Sequence, residues 1–223
     1  MTPEIWEIIA LSLRVSFVAM VVAVPAAIGV AYVLARKSFT GWHALNAICH
    51  LPLVMPPVIT GYLLLSVFSP NSWLGSALSA IGISFAFNWL GAALAAGIMA
   101  FPLIMRPIRL AFELQGEALI ETAQTLGARP WSAFWFISLP LALPGVIAGS
   151  VLGFAKALGE FGATITFVSN IPGETQTVAL AIYSFLQSPA GDRSALILVM
   201  LGVAISFAAI ILSEVLARRM IRR

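Results

Sequence analysis

Five apolar runs recur along the chain, about Ile8–Leu34, Leu45–Phe68, Phe85–Met105, Leu141–Val168 and Ala195–Ala217. Each reaches or exceeds the roughly 20 residues with which a helix crosses a bilayer core. Composition agrees: 61% of residues are hydrophobic, only 9% are charged, and mean hydropathy is +1.01. Soluble domains carry about a quarter charged residues. These features predict an all-α polytopic membrane protein, a single domain over 1–223 with about five transmembrane helices. The net charge of +3 gives no reason to expect nucleic-acid binding. A lone cysteine, Cys49, excludes an intramolecular disulfide or a Cys-only metal cluster.

Placement of charge predicts orientation. The leader MTPEIWE is acidic rather than basic, unlike a cleaved signal peptide. Arg36, Lys37, Arg106, Arg109, Arg129, Arg218, Arg219, Arg222 and Arg223, nine of the twelve basic residues, fall on one side. Arg14 and Arg193 fall on the other, and Lys156 lies inside a run. The positive-inside bias therefore sets the N-terminus outside and the C-terminus in the cytoplasm.

The loop between the third and fourth runs, about 106–140, would then be cytoplasmic. From Pro107 to Leu126 it has the pattern of one amphipathic helix, with Phe112, Leu119, Ile120, Ala123 and Leu126 on one face. Arg109, Glu113, Glu117 and Glu121 follow at i+4 on another face. Gly127 suits a left-handed C-cap, and Pro130 the first turn of a second short helix, PWSAFWFIS. Two readings fit this pattern. One is an interfacial helix with aromatics at headgroup level; the other is a knob that docks into a groove on a partner.

A resemblance discriminates between them. Glu121-Thr122-Ala123, three residues, Gly127, nine residues, Ile137, one residue, then Leu139-Pro140 resembles the EAA signature of ABC importer permeases. In that family the loop forms a coupling helix pair that seats in cytoplasmic ATPase subunits, and the fold is that of type I importers. The resemblance carries the coupling role to Glu121, Thr122, Ala123, Gly127, Ile137, Leu139 and Pro140, with Glu117 on the same polar ridge. Thr122 replaces the family's usual alanine, a small-for-small change. The chain itself lacks a P-loop, because its only lysines, Lys37 and Lys156, follow Arg36 and Ala155 rather than glycine. The expectation is a non-enzymatic subunit that binds no cofactor, with ATP and Mg on the partner.

The resemblance continues through ARKSFTGWHALNAICHLPLVMPPVITGYLLL (35–65), which is similar to oxyanion permeases, and through LGEFGATITFVSNIPGETQT (158–177) and AIYSFLQSPAGD (181–192), which are similar to molybdate permeases. It implies molybdate import across a bacterial inner membrane. The implied assembly is a homodimer with two ATPase subunits and an extracytoplasmic binding protein. Tungstate and sulfate or thiosulfate systems are the alternative cargoes.

Inside the fourth run, Gly145, Gly149, Gly153 and Ala157 form a small-residue stripe that permits close helix contact. Lys156 and Glu160 share its arc. A charge at mid-membrane costs at least about 2.5–3.5 kcal/mol, so the pair needs an explanation. Either the two neutralise each other at i, i+4, or Lys156 draws the dianion into the pathway while Glu160 holds a gate or a dimer contact. Pro52, Pro56 and Pro57 break the second run as a hinge or packing kink. Gly61 and Tyr62, which follow, are candidates to line the cavity.

His43 and His50 flank the start of that run, and with one cysteine they are too few for a metal site. The outer loops are Ser69–Ser84 and Ser169–Ser194; TVALAIYSFLQ in the second would lie flat on the membrane or dip into it. Glu174, Asp192 and Arg193 are either solvated loop charges or rim contacts for the binding protein. An intramembrane aspartyl enzyme is disfavoured, since Asp192 is the only aspartate. A secondary transporter is disfavoured by the lack of an inverted repeat.

Overall fold

The computed structural model describes residues 3–36, 39–116, 118–189 and 191–221, and it is helical throughout, with no strand among the described residues. Four stretches are long and apolar enough to cross a membrane: Glu4–Arg36, Trp89–Glu113, Pro130–Leu158 and Asp192–Leu212. Helix α1 is Pro3–Arg36, α2 is Trp42–Val54, α3 is Pro57–Phe68 and α4 is Trp73–Ala80. Helix α5 follows as Trp89–Glu113, α6 as Ala118–Thr125 and α7 as Pro130–Ala133. A π-helical turn, Phe134–Ser138, leads from α7 into α8, Leu139–Leu158. Helices α9, Gly162–Val168, α10, Val178–Leu186, and α11, Asp192–Ile221, complete the chain.

Helix α5 is the centre of the bundle, packed between α1 and α8. The first half of its buried face is dominated by small residues: Ala92, Ala93, Ala95, Ala96, Gly97 and Ala100. Helix α1 answers with Ala19, Ala23, Ala27 and Ala31, one per turn and all buried. Lipid tails are as apolar as the helices, so association rests on close packing, which small side chains permit. On the other flank, Gly145, Gly149 and Gly153 of α8 meet Pro107, Ile104 and Met20. A Cβ on Gly149 would stand 2.5 Å from the Ile104 carbonyl oxygen, so that crossing has no room for a methyl group. Ala157, at the end of the stripe, is 4% exposed.

The prolines break the second run as expected, and three other expectations need correction. The second run is not one straight span: α2 and α3 meet at 113°. The residue before a proline is pushed to extended backbone, and here Met55 precedes Pro56, which precedes Pro57. Met55 and Pro56 accordingly have ψ of 142° and 130°, and α3 restarts with proline at its first position. Helix α5 runs on through Pro107 to Glu113, so no single helix covers Pro107–Leu126. The chain breaks before Gly116, at φ +68°, and separates Arg109 and Glu113 from Glu121.

PWSAFWFIS is not a separate short helix but the start of the 29-residue stretch Pro130–Leu158. The fourth run breaks at Gly159–Phe161, because the α8 C-cap is a glycine and α9 starts afresh. The segment expected either to lie flat on the membrane or to dip into it is α10, which packs on α11 and α1. Its Leu180 and Ala181 are fully buried, and the Val178 N–H donates to Ser12 Oγ at 2.7 Å.

Candidate coupling and translocation sites

The loop between α5 and α8 rises from a rigid base. Arg36, at the end of α1, donates from Nη1 to the Gly116 carbonyl at 2.8 Å and from Nη2 to Gln115 Oε1 at 3.1 Å. Gln115 Nε2 in turn donates to the Ser138 carbonyl at 2.9 Å, in the π-helical turn. Beneath them Tyr32 makes edge-to-face contacts with Phe112 and Phe134, at centroid distances of 5.3 and 4.8 Å. Three elements distant in sequence are thus tied at one end of the bundle.

Helix α6 stands on that base without entering it. No residue of α6 is buried, and its packing neighbour is α7. Its end is a Schellman cap: Ala128 N–H donates to the Ala123 carbonyl at 3.0 Å and Gly127 N–H to the Gln124 carbonyl at 2.9 Å. Gly127 takes φ +91°, a left-handed conformation that glycine adopts without Cβ strain. Thr122 Oγ donates to the Ala118 carbonyl at 2.7 Å, so the hydroxyl that departs from the alanine pattern is satisfied within the helix.

Around this helix Leu119, Leu126, Trp131 and Phe136 are exposed, Leu126 by 84%. Glu121 and Pro140 are exposed, Ala123, Ile137 and Leu139 half-buried; Glu117 lies outside the described residues. The structure brings Glu121, Thr122, Ala123 and Gly127 together on α6 and its cap. Ile137, Leu139 and Pro140 instead belong to the start of the long α8 stretch.

Within the bundle, Lys156 Nζ donates to Glu160 Oε2, forming an ion pair. The two do not share a continuous helix. Glu160 sits in the break after α8, 2% exposed, and its Oε1 accepts the Ala163 N–H at 3.1 Å in the first turn of α9. One carboxylate therefore neutralises a cation and caps a helix, which satisfies both oxygens. Lys156 remains partly open, with 31% of its side chain exposed.

The model of binding-protein-dependent transport system inner membrane components matches residues 11–222. The chain belongs to this family. This permease component is 51% identical over 211 residues to the molybdenum transport system permease protein ModB of Haemophilus influenzae, covering 94% of this chain and 92% of that one. It is 32% identical over 185 residues to a probable sulfate transport system permease protein of Anthoceros angustus, covering 83% and 64%. Its fold matches a permease chain in the crystal structure of a bacterial alginate ABC transporter in complex with its alginate pentasaccharide-bound periplasmic protein. There the TM-score is 0.77 at 20% identity, with 99% of this chain and 80% of that one covered.

In this permease Gly61 does not line open space. It faces α9, where a Cβ would stand 2.5 Å from the Ala163 carbonyl oxygen, so it is a crossing point of α3 with α9. Tyr62, its neighbour, is 62% exposed on the outer face of α3. Sequence reasoning missed Tyr32 and Gln115, and it treated Arg36 only as an orienting charge. The hydrogen bonds that give Arg36 and Gln115 their role span 79 and 80 residues, and no local pattern announces them. The small-residue stripe of α8, by contrast, was legible at i+4 spacing.

Proposed function

We propose that this chain is the membrane-spanning subunit of a molybdate importer, driven by ATP hydrolysis on separate cytoplasmic subunits. The observation that carries the coupling part is α6. An isolated helix of fewer than about 12 residues is marginal in water, and this one has eight residues with none buried. It is nevertheless held in place by a Schellman cap and a hydrogen-bonded base. A preformed helix that displays Leu119 and Leu126 suits insertion into a cleft on a partner.

The proposed assembly is a homodimer of this chain with two ABC ATPase subunits and an extracytoplasmic molybdate-binding protein. The N-terminus is outside and the loop in the cytoplasm, as the charge bias requires. The ATP and Mg sites belong to the partner, and this chain hydrolyses nothing. Lys156 is the pathway candidate, because its side chain is the open member of the pair; Glu160 holds the joint between α8 and α9. Molybdate as cargo rests on the close similarity to the molybdenum permease over nearly the whole chain.

The test is uptake of labelled molybdate in cells lacking the chain, restored with it, and restored with Gly127→Trp present at normal membrane abundance. Uptake should return with the natural chain, fail with Gly127→Trp, and be competed by tungstate but not by sulfate. Restored sulfate uptake without molybdate uptake would replace the cargo and leave the permease assignment. Molybdate uptake that survives loss of the ATPase would overturn the ATP-driven reading in favour of a secondary carrier.

A further inference from the structure

The last two turns of α5 and the facing side of α2 enclose an open cleft of about 720 Å³, lined by Asn46, His50, Arg106, Arg109, Leu110 and Glu113 among others. It lies at the same end of the bundle as α6. Two guanidinium groups face one carboxylate there, so the lining carries an excess positive charge. Arg109 is held in place: Nε donates to Glu113 at 2.7 Å, Nη1 donates to Asn46 Oδ1 at 2.8 Å, and the guanidinium stands 4.9 Å from the Trp42 ring centre. His50 is oriented as well, its Nδ1 donating to the Asn46 carbonyl at 2.8 Å. A carbonyl only accepts, so Nδ1 carries the proton.

Arg106 is different. Among the described residues it has no ion-pair partner. It sits seven residues before the end of a span-length helix, about 10 Å along the axis at 1.5 Å per residue. It is exposed where α5 continues beyond the apolar run, so its guanidinium is open to an anion entering the cleft. Planar guanidinium donors are matched to the oxygens of tetrahedral oxyanions and phosphates.

We propose that this cleft binds a tetrahedral oxyanion group, with Arg106 as the principal donor and Arg109 as a fixed electrostatic wall. Two sources share that chemistry. One is the transported anion on its way out, which rests on the importer reading above; the other is the phosphate headgroup of an anionic phospholipid, for which basic clefts near the membrane surface are suited.

The experiment uses the full transporter in nanodiscs, without nucleotide and without binding protein. Labelled molybdate binding is measured in discs of pure phosphatidylcholine, and retention of phosphatidylglycerol is measured in mixed discs. Wild type is compared with Arg106→Gln, Arg106→Lys and Leu110→Trp, the last filling the cleft while leaving every charge in place. Loss of a charge-assisted contact should weaken binding by about tenfold or more, with Arg106→Lys retaining part of it.

Molybdate binding that falls in Arg106→Gln and Leu110→Trp assigns the cleft to the transported anion. No molybdate binding, with phosphatidylglycerol retention that falls in the same variants, assigns it to lipid. Binding of both ligands unchanged in Arg106→Gln and Leu110→Trp, or absent from wild type, overturns the proposal. Failure of wild-type cells to take up molybdate would sink the importer reading, while the nanodisc result would still decide the cleft.

Discussion

Arg36 and Gln115, 79 residues apart, are joined by a hydrogen bond of 3.1 Å that ties the end of the first membrane helix to the corner from which α6 departs. The same guanidinium holds the Gly116 carbonyl, and Gln115 passes the link on to Ser138. Arg36→Ala removes both bonds at once. Hydrogen bonds to charged groups contribute about 1.5–3 kcal/mol each in favourable settings, and these are only partly shielded from solvent. The expected result is a fall of a few degrees in the thermal midpoint in detergent and a larger loss of uptake. Gln115→Leu should reproduce the uptake defect with a smaller stability change. Full uptake in both variants would show that the base does not position α6.

At Gly127 the restraint is the backbone alone. Its φ is +91° and a Cβ there would meet nothing within 4 Å. A β-branched residue pays the left-handed penalty of about 1–2 kcal/mol, whereas asparagine tolerates that region. Gly127→Val should therefore reduce permease-stimulated ATPase activity in the reconstituted complex much more than Gly127→Asn. Equal activities would mean that the corner's conformation is irrelevant to coupling.

Gly149 and Gly29 predict opposite signs. An added methyl at Gly149 would strike the Ile104 carbonyl oxygen at 2.5 Å, while at Gly29, exposed on α1, it would meet nothing. Gly149→Ala should destabilise by about 1–3 kcal/mol through overpacking. Gly29→Ala should be neutral or slightly stabilising, since glycine is a poor helix residue. Thermal unfolding of the two variants side by side checks the ordering.

Lys156→Met leaves the Glu160 carboxylate buried without its cation. Breaking a buried pair costs about 3–5 kcal/mol, and the partial exposure of Lys156 reduces this to roughly 1–3 kcal/mol. Lys156→Met combined with Glu160→Gln should regain most of the stability, because a glutamine oxygen can still accept the Ala163 N–H. Uptake then separates the roles. If the stable double variant transports normally, Lys156 is structural; if it folds but does not transport, the open cation serves the pathway.

The elements that were legible in the sequence share one property: their cause lies within a few neighbouring residues. Gly127 followed by Pro130 marks a corner because a left-handed cap and a helix start are local requirements. Pro56 and Pro57 mark a break for the same reason, although the sequence did not disclose a bend of 113°. The helix expected over Pro107–Leu126 failed because apolar spacing cannot tell whether Pro107 starts a helix or lies inside one. Packing of Ile104, Ile108 and Phe112, all fully buried, carries α5 on to Glu113. Gly61 was misplaced on a cavity wall because whether a glycine faces space or another backbone depends on α9, a hundred residues away.

By itself, then, the sequence determined that this chain lives in a bilayer, how many apolar stretches it has, and where its polar corner turns. Length against bilayer thickness and the chemistry of single residues decide those matters. Only the tertiary structure decided that α6 stands clear of the bundle and that Glu160 closes both an ion pair and a helix cap. It alone brought Arg106 and Arg109 to one cleft with His50. Each of these depends on contacts between segments distant along the chain, which exist only once the helices have packed.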